Sequence, residues 1–328
     1  QILHTVVQEY IIDNQPGVRE PIGMSGVRLD TRVHIITGAV TALQNVQKCI
    51  ERCGLKVDEI MLQPLVSADA VLTEDEKELG VCVIDIGGGT TDIAVYTNGA
   101  IRHTAVIPIA GDLITRDLAQ ALRTPYTAAE RIKIFHGVAL ENLEGLDEMV
   151  EVPSVGDRLP RQISRRTLAS MIGPRVEEIL ELTLNELRRA GFPEEVLTSG
   201  IVLTGGASLL RGVVELAEDV FNLPARIGVP QEVGTLSDRI RNPRYATVIG
   251  LLHAAKKRAQ QNGISAGKPN RRTGNTVAEK PVISKNEKRP APSPREDDEP
   301  DDLLLPPEPI PRKPSWISRT INWMKNNL

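Results

Sequence analysis

One stretch of this sequence carries residue types spaced to hold a phosphate: Val83-Ile84-Asp85-Ile86-Gly87-Gly88-Gly89-Thr90-Thr91-Asp92-Ile93-Ala94-Val95-Tyr96. A β-run leads into the three glycines and a second leaves them. Asn98-Gly99 then has the composition of a type I′ turn into a third run. The glycines are therefore expected at a strand-to-strand turn, whereas a Walker A loop or a dinucleotide turn opens a helix. Consecutive glycines allow φ > 0 and close approach of a ligand, so successive N–H groups can cradle an anion. Asp85 cannot bind that anion; its natural partner is Mg²⁺ or a metal-bound water. The competing reading is a tight hairpin that needs glycine only for its shape.

A second glycine turn, Ile201-Val202-Leu203-Thr204-Gly205-Gly206-Ala207-Ser208, runs from a buried strand toward a helix. N–H groups at a helix start suit an anion or the edge of a nucleotide, although an ordinary strand–helix turn looks the same. Glu130 and Lys133, three apart on one helix face, could offer an acceptor and a donor to sugar hydroxyls; such pairs are commonly solvated surface charges. Asp112 reads as an N-cap. No Ser-His-Asp or Cys-His arrangement can be assembled, and the five histidines have no metal-ligand spacing. Asp85 and Asp92 could support slow phosphate hydrolysis or only Mg²⁺ binding. Cys49, Cys53 and Cys82 form an odd, scattered set, which makes a reducing compartment the default.

The elements that must position these residues alternate. Strands are expected over 6–12 and 33–37, a helix over 40–53, a short buried strand over 59–66 and three β-runs within 80–108. Helices follow over 112–122, 128–137 and 166–190, a strand over 201–204, a helix over 210–221, a strand over 225–228 and a closing helix over 243–261. The order is that of an α/β protein. With 328 residues, 41% of them hydrophobic and 25% charged, the chain can build two cores. The net charge of -4 gives no footprint for nucleic acid, and no apolar run reaches the ~18 residues of a membrane span. The chain opens at Gln1 directly in strand-like sequence and reads as a piece of a longer protein.

Composition changes near residue 262. Residues 263–314 hold 11 of the 23 prolines, no aromatic residue, a basic block and then an acidic block, the signature of a disordered linker. Beyond it, Ser315 can cap a short helix whose Trp316, Ile317, Ile321, Trp323, Met324 and Leu328 share one face opposite Arg319 and Lys325. Fourteen residues cannot span a bilayer, so this amphipathic helix is expected to lie on an anionic membrane surface. Docking on the protein's own core or on a partner groove is the alternative.

The Asp-x-Gly-Gly-Gly-Thr-x-Asp hairpin and the Thr-Gly-Gly-Ala-Ser turn together resemble the actin / heat-shock-cognate-70 / sugar-kinase superfamily. Within it, the sequence resembles the family of the bacterial cell-division protein FtsA. Matching stretches include Glu51-Arg52-Cys53-Gly54-Leu55-Lys56-Val57-Asp58, Val71-Leu72-Thr73-Glu74-Asp75-Glu76 and Val248-Ile249-Gly250-Leu251-Leu252. The resemblance implies an actin-like ATPase fold, incomplete at the N-terminus because the family's first phosphate hairpin lies upstream. Residues 1–37 would belong to a small inserted subdomain and 38–79 to the rest of the first actin-like subdomain. Residues 80–262 would form a second lobe, with a smaller subdomain at about 112–190. It implies ATP and Mg²⁺ as cofactors of the full-length protein, held by Asp85, Gly87, Gly88, Gly89, Thr90, Thr91, Glu130, Lys133, Gly205, Gly206 and Ala207, with Asp85 on the metal. Implied partners are the C-terminal tail of FtsZ near Arg175 and Glu178, further copies of the chain in a protofilament, other division proteins and the membrane. The place implied is the cytoplasmic face of the inner membrane at the division septum, with ATP turnover slow or absent. A superfamily enzyme such as a sugar kinase or phosphatase is the alternative, but it would need an acidic base for the substrate hydroxyl and a substrate loop, neither of which is identifiable.

Overall fold

The N-terminal strands have ends fixed by turn chemistry. Asp13 and Asn14 take the left-handed conformation that short polar side chains tolerate, reversing β1 (Ile2–Ile12) into β2 (Gln15–Val18). β3 (Leu29–Thr37) pairs antiparallel on the other side of β1, giving a three-stranded sheet of order β2-β1-β3. The computed structural model describes residues 1–156, 159–231 and 240–261. The expected linker at 263–314 and amphipathic helix at 315–328 lie outside the described residues. Helix α1 (Val40–Arg52) forms where the apolar spacing places it, yet none of its residues is buried.

The strand expected over 59–66 does not form. Residues from Gln63 onward enter helix α2 (Gln63–Val71), with Pro64 in its first turn, where a missing N–H costs nothing. This helix is buried on nearly every side, so its apolar residues do not fall on a single helical face. Next comes α3 (Glu74–Leu79), which the sequence reading passed over although Thr73 and Glu76 form a full capping box.

The central sheet is built on β4 (Val81–Ile86), buried along its whole length. On one side β4 pairs antiparallel with β5 (Thr91–Thr97), which pairs antiparallel with β6 (Ala100–Ile107). On the other it pairs parallel with β9 (Ile201–Thr204), which carries β10 (Ala225–Ile227), so the order is β10-β9-β4-β5-β6. Successive side chains on β4 enter different cores. Cys82, Ile84 and Ile86 pack with α4 (Gly111–Leu122), α6 (Arg165–Arg189) and α7 (Val213–Phe221). Val81 and Val83 pack with α2 and α8 (Ala246–Gln261) on the opposite face. Asp85 shares the odd-numbered face and so points to α2 and α8. Helix α5 (Tyr126–His136) and the hairpin of β7 (Met149–Val152) and β8 (Arg161–Ser164) complete the fold; β2, β7 and β8 carried no signal in the sequence reading. On α6 the seven expected core residues, Leu168, Ile172, Val176, Ile179, Leu180, Leu184 and Leu187, are all buried. Each contributes about 1.5–3 kcal/mol of burial, which holds a 25-residue helix together despite the internal Pro174.

The small sheet meets β6 through polar contacts. Gln8 Nε2 donates to the Ile101 carbonyl at 2.9 Å, and His34 Nε2 lies 3.2 Å from Thr104 Oγ1. Next to His34, His103 is paired with Glu186 at 3.2 Å and stacks on Phe192. Burial, and then the charge on His103, hold the His34 pKa below 6.5. A depressed folded pKa means that the unfolded chain takes up the proton first, so this stability is present above about pH 6.5 and is lost as pH falls. The melting temperature should therefore fall between pH 7.5 and 5.5, and His34→Gln should flatten that slope; an unchanged slope would remove His34 from the account.

Candidate functional site: two glycine turns around a buried aspartate

The hairpin reads as expected in topology and differs in its dihedrals. Asp85 faces Asp92 and Ile86 faces Thr91 across β4 and β5. None of Gly87, Gly88 and Gly89 has a positive φ, so freedom to enter the left-handed region is not why they are glycine. Crowding explains two of them. A Cβ on Gly87 would lie 3.2 Å from the Thr90 carbonyl oxygen, and one on Gly88 would lie 3.3 Å from Asp112 Oδ1. Gly89 faces open space. Gly87 N–H closes the turn on the Thr90 carbonyl at 3.0 Å. The N–H groups of Gly88, Gly89 and Thr90 donate to no acceptor among the described residues. Three adjacent free donors on an exposed turn are what an anion requires.

The start of α4 is sewn to that turn. Gly111 N–H donates to the Gly87 carbonyl at 3.0 Å, and Asp112 N–H to the Gly88 carbonyl at 2.8 Å. Asp112 is thus not the N-cap the sequence suggested: that position belongs to Ala110, and no side chain caps the helix. The turn's own carbonyls absorb N–H groups that a cap would have satisfied.

The second turn also departs from expectation. After Gly205 the chain makes a short 3-10 turn (Gly206–Leu209), and α7 begins only at Val213, so no α-helix N-terminus stands at the glycines. Gly205 has φ +85°, and a Cβ there would fall 2.4 Å from Asp85 Oδ1 and 2.5 Å from the Ile86 carbonyl oxygen. A Cβ on Gly206 meets nothing. The two turns nonetheless converge: the space beside Gly111 is shared by the Gly87 carbonyl, Lys133 Nζ and Ala207 Cβ.

Glu130 and Lys133 are more than a solvated pair. Lys133 is buried, and its ammonium donates to the Gly111 carbonyl at 3.0 Å, Thr115 Oγ1 at 2.8 Å and Glu130 Oε2 at 2.8 Å. With its three protons committed, Lys133 braces α5 against α4 and has no proton left for a sugar. Burial pushes the Glu130 carboxyl up, but the hydrogen bonds from Lys133 and Thr115 outweigh it and hold the pKa low. Glu130 keeps a partly exposed carboxylate edge that can still accept from a hydroxyl.

Asp85 is 3% exposed. Its Oδ2 accepts from Ser67 Oγ at 2.8 Å and Gln63 Nε2 at 3.1 Å, while its Oδ1 carries no hydrogen bond among the described residues. Burial and then the neighbouring Asp85 charge raise the Asp92 pKa against the lowering effect of Thr90. Among the described residues no three His, Cys, Asp or Glu side chains gather into a cage. A single free carboxylate oxygen beside an anion cradle suits Mg²⁺, which keeps most of its waters and is shared with phosphate. Gln63, Ser67 and Thr115 were not singled out from sequence, because nothing local separates them from the other polar residues of α2 and α4.

Arg175 and Glu178 stand apart from this site, on α6. Arg175 Nε donates to Asp117 Oδ2 of α4 at 2.6 Å and its guanidinium also pairs with Glu178. Two surface grooves of about 470 and 530 Å³, beside α5 and beside β1, are lined by neither glycine turn. Among the described residues no helix is long and apolar enough to cross a membrane.

Comparison with known proteins adds the family. A profile described as "Cell division protein FtsA" matches residues 82–250, and one described as "SHS2 domain inserted in FTSA" matches residues 1–37. The cell division protein FtsA of Neisseria meningitidis serogroup B is 70% identical over 257 residues, which is 78% of this chain and 62% of that relative. Its counterpart from Pseudomonas aeruginosa is 58% identical over 265 residues, covering 81% of this chain and 63% of the relative. The chain thus spans less than two thirds of the length of these curated relatives. Among solved structures, MreB5 of Spiroplasma citri bound to ADP matches with a TM-score of 0.57 at 16% identity, over 78% of this chain and 90% of that one. At that identity the likeness establishes the fold, which is actin-like.

Proposed function

This chain belongs to the FtsA family of cell-division proteins, and from that premise we propose that it is the greater part of an ATP-binding, filament-forming division adaptor. The observation that carries the reading is the row of free N–H groups at Gly88, Gly89 and Thr90 next to the unshared Oδ1 of Asp85. Bound Mg²⁺ would neutralise the phosphate charge at this turn. The chain's own residues do the rest: the hairpin amides hold the phosphates, Gly206 and Ala207 leave room for the adenosine end, and Glu130 accepts from the ribose.

The remaining parts of the reading follow from the family. α6, with Arg175 and Glu178, receives the C-terminal tail of FtsZ; the Asp117 bridge fixes the arginine for it. Residues 315–328 lie on the anionic inner face of the membrane at the septum through Trp316, Ile317, Ile321, Trp323, Met324 and Leu328. One such helix binds weakly, so assembly into a filament multiplies its hold.

Sedimentation with anionic vesicles, with and without Mg·ATP, tests the whole. Asp85→Ala should lose nucleotide binding and keep only the weak lipid binding of single helices, with no gain from Mg·ATP, whereas Trp316→Glu with Trp323→Glu should stay in the supernatant yet bind nucleotide. Nucleotide affinity untouched by Asp85→Ala, or flotation untouched by the double tryptophan change, defeats the corresponding half.

A further inference from the structure

The nucleotide reading leaves unexplained why a buried carboxylate turns one oxygen into the fold and the other toward the glycine turns. The donors to Asp85 Oδ2 come from α2, which crosses α8 next to the carboxylate. The crossing is fixed along its length. Gly250 of α8 lies so close to α2 that a Cβ would stand 1.8 Å from the Val66 carbonyl oxygen. Farther along, Lys257 Nζ donates to both oxygens of Asp69 at 3.0 Å. At the Asp85 end, Ser67 Oγ lies 3.0 Å from Thr247 Oγ1, and Ser67 is fully buried.

Counting protons gives this contact a direction. Ser67 has one hydroxyl proton, and its 2.8 Å hydrogen bond to Asp85 Oδ2 uses it. In the 3.0 Å contact Thr247 must then be the donor, because its own distance to Asp85 Oδ2, 3.5 Å, is too long for a good O–H···O bond. The result is a relay in series: Thr247 of α8 donates to Ser67 of α2, which donates to Asp85 of β4. Each bond polarises the next.

We propose that Ser67 and Thr247 are positioning residues which lock the Asp85 carboxylate with Oδ1 presented to the metal, so that magnesium-dependent nucleotide binding relies on the α2–α8 crossing. This rests on the nucleotide reading above. Neither hydroxyl touches the nucleotide; both act through Asp85.

ATP affinity is to be measured in Mg²⁺ and again in EDTA on the full-length protein that contains this chain, unsubstituted and as Ser67→Ala, Thr247→Val and the double variant. The unsubstituted protein should show a gain from Mg²⁺. Ser67→Ala should shrink that gain about tenfold, the size of one hydrogen bond to a charged group, and leave the EDTA affinity unchanged. Thr247→Val, at the far end of the relay, should shrink it about threefold, and the double variant should match Ser67→Ala because the relay is already broken. A full magnesium gain in Ser67→Ala overturns the proposal, as do additive effects in the double variant or an equal loss in Mg²⁺ and EDTA, which a merely structural role would give. Should Ser67→Ala fail to fold, the less buried Thr247→Val decides by the same split. If the unsubstituted protein binds no nucleotide under either condition, the nucleotide reading falls and takes the clamp with it; if it binds and the variants behave like it, the clamp alone falls.

Discussion

Gly250→Ala is expected to destabilise the protein by about 3 kcal/mol, lowering its melting temperature by roughly 6–12 °C. Two effects oppose each other at this position. Alanine is the better helix former by about 1 kcal/mol, and in a solvated helix that would decide the sign. Here the added carbon would stand 1.8 Å from the Val66 carbonyl oxygen, with the Val66 carbonyl carbon at 2.4 Å. Those are backbone atoms of a buried helix, so no side chain can swing aside. α8 must move away as a body, opening the core around Val83, Ala68, Ala246 and Ile249 and stretching the Lys257–Asp69 bridge. Thermal unfolding of the two proteins side by side is the measurement. A melting temperature equal to or above that of the unsubstituted protein would show that the crossing is not close-packed.

The same crossing marks a limit of the sequence reading. The β4–turn–β5 hairpin was legible almost to the residue, because local signals fix it: an apolar run, a glycine turn, a second apolar run and Asn98-Gly99. Both central residues of that last turn have positive φ, 53° and 71°, as the dipeptide predicts. Helix α6 was legible because its apolar spacing repeats over 25 residues. α2 was not, since a helix buried on nearly every side has no polar face to betray its period. β2, β7 and β8, at four residues each, are too short to show alternation above chance. At the site, Asp85 and the glycines were legible by type. The donors to Asp85 were not: Ser67 and Gln63 stand 18 and 22 positions away in sequence, and Thr247, which reaches it through Ser67, 162 away, so only tertiary structure brings them in. Lys133 shows the reverse error, where a residue read as exposed and ligand-facing is buried with its protons spent. Nothing in an i, i+3 charge pair distinguishes the two cases.

The glycines of the second turn separate two roles that a sequence cannot, and Gly205→Ala should show it. At φ +85°, ψ 171° this residue sits in a region that only glycine occupies comfortably, so any side chain costs about 1–3 kcal/mol in backbone strain. The larger effect is on chemistry. The new Cβ would lie 2.4 Å from Asp85 Oδ1, the oxygen proposed to face Mg²⁺, and 2.5 Å from the Ile86 carbonyl oxygen just before the glycine turn. Oδ2 is tied to α2, so the carboxylate cannot rotate out of the way without breaking its bonds to Ser67 and Gln63. Affinity for Mg·ATP should fall by about 100-fold or more, the loss of roughly 3 kcal/mol expected when a metal-facing oxygen is displaced and its neighbours are left unpaired. Gly206→Ala is the control, since its Cβ enters open space and its backbone is free of the strain. It should leave the melting temperature unchanged, and any loss of ATP affinity it causes would come from that space alone. Equal nucleotide affinity in Gly205→Ala and the unsubstituted protein would mean that Asp85 Oδ1 faces no metal.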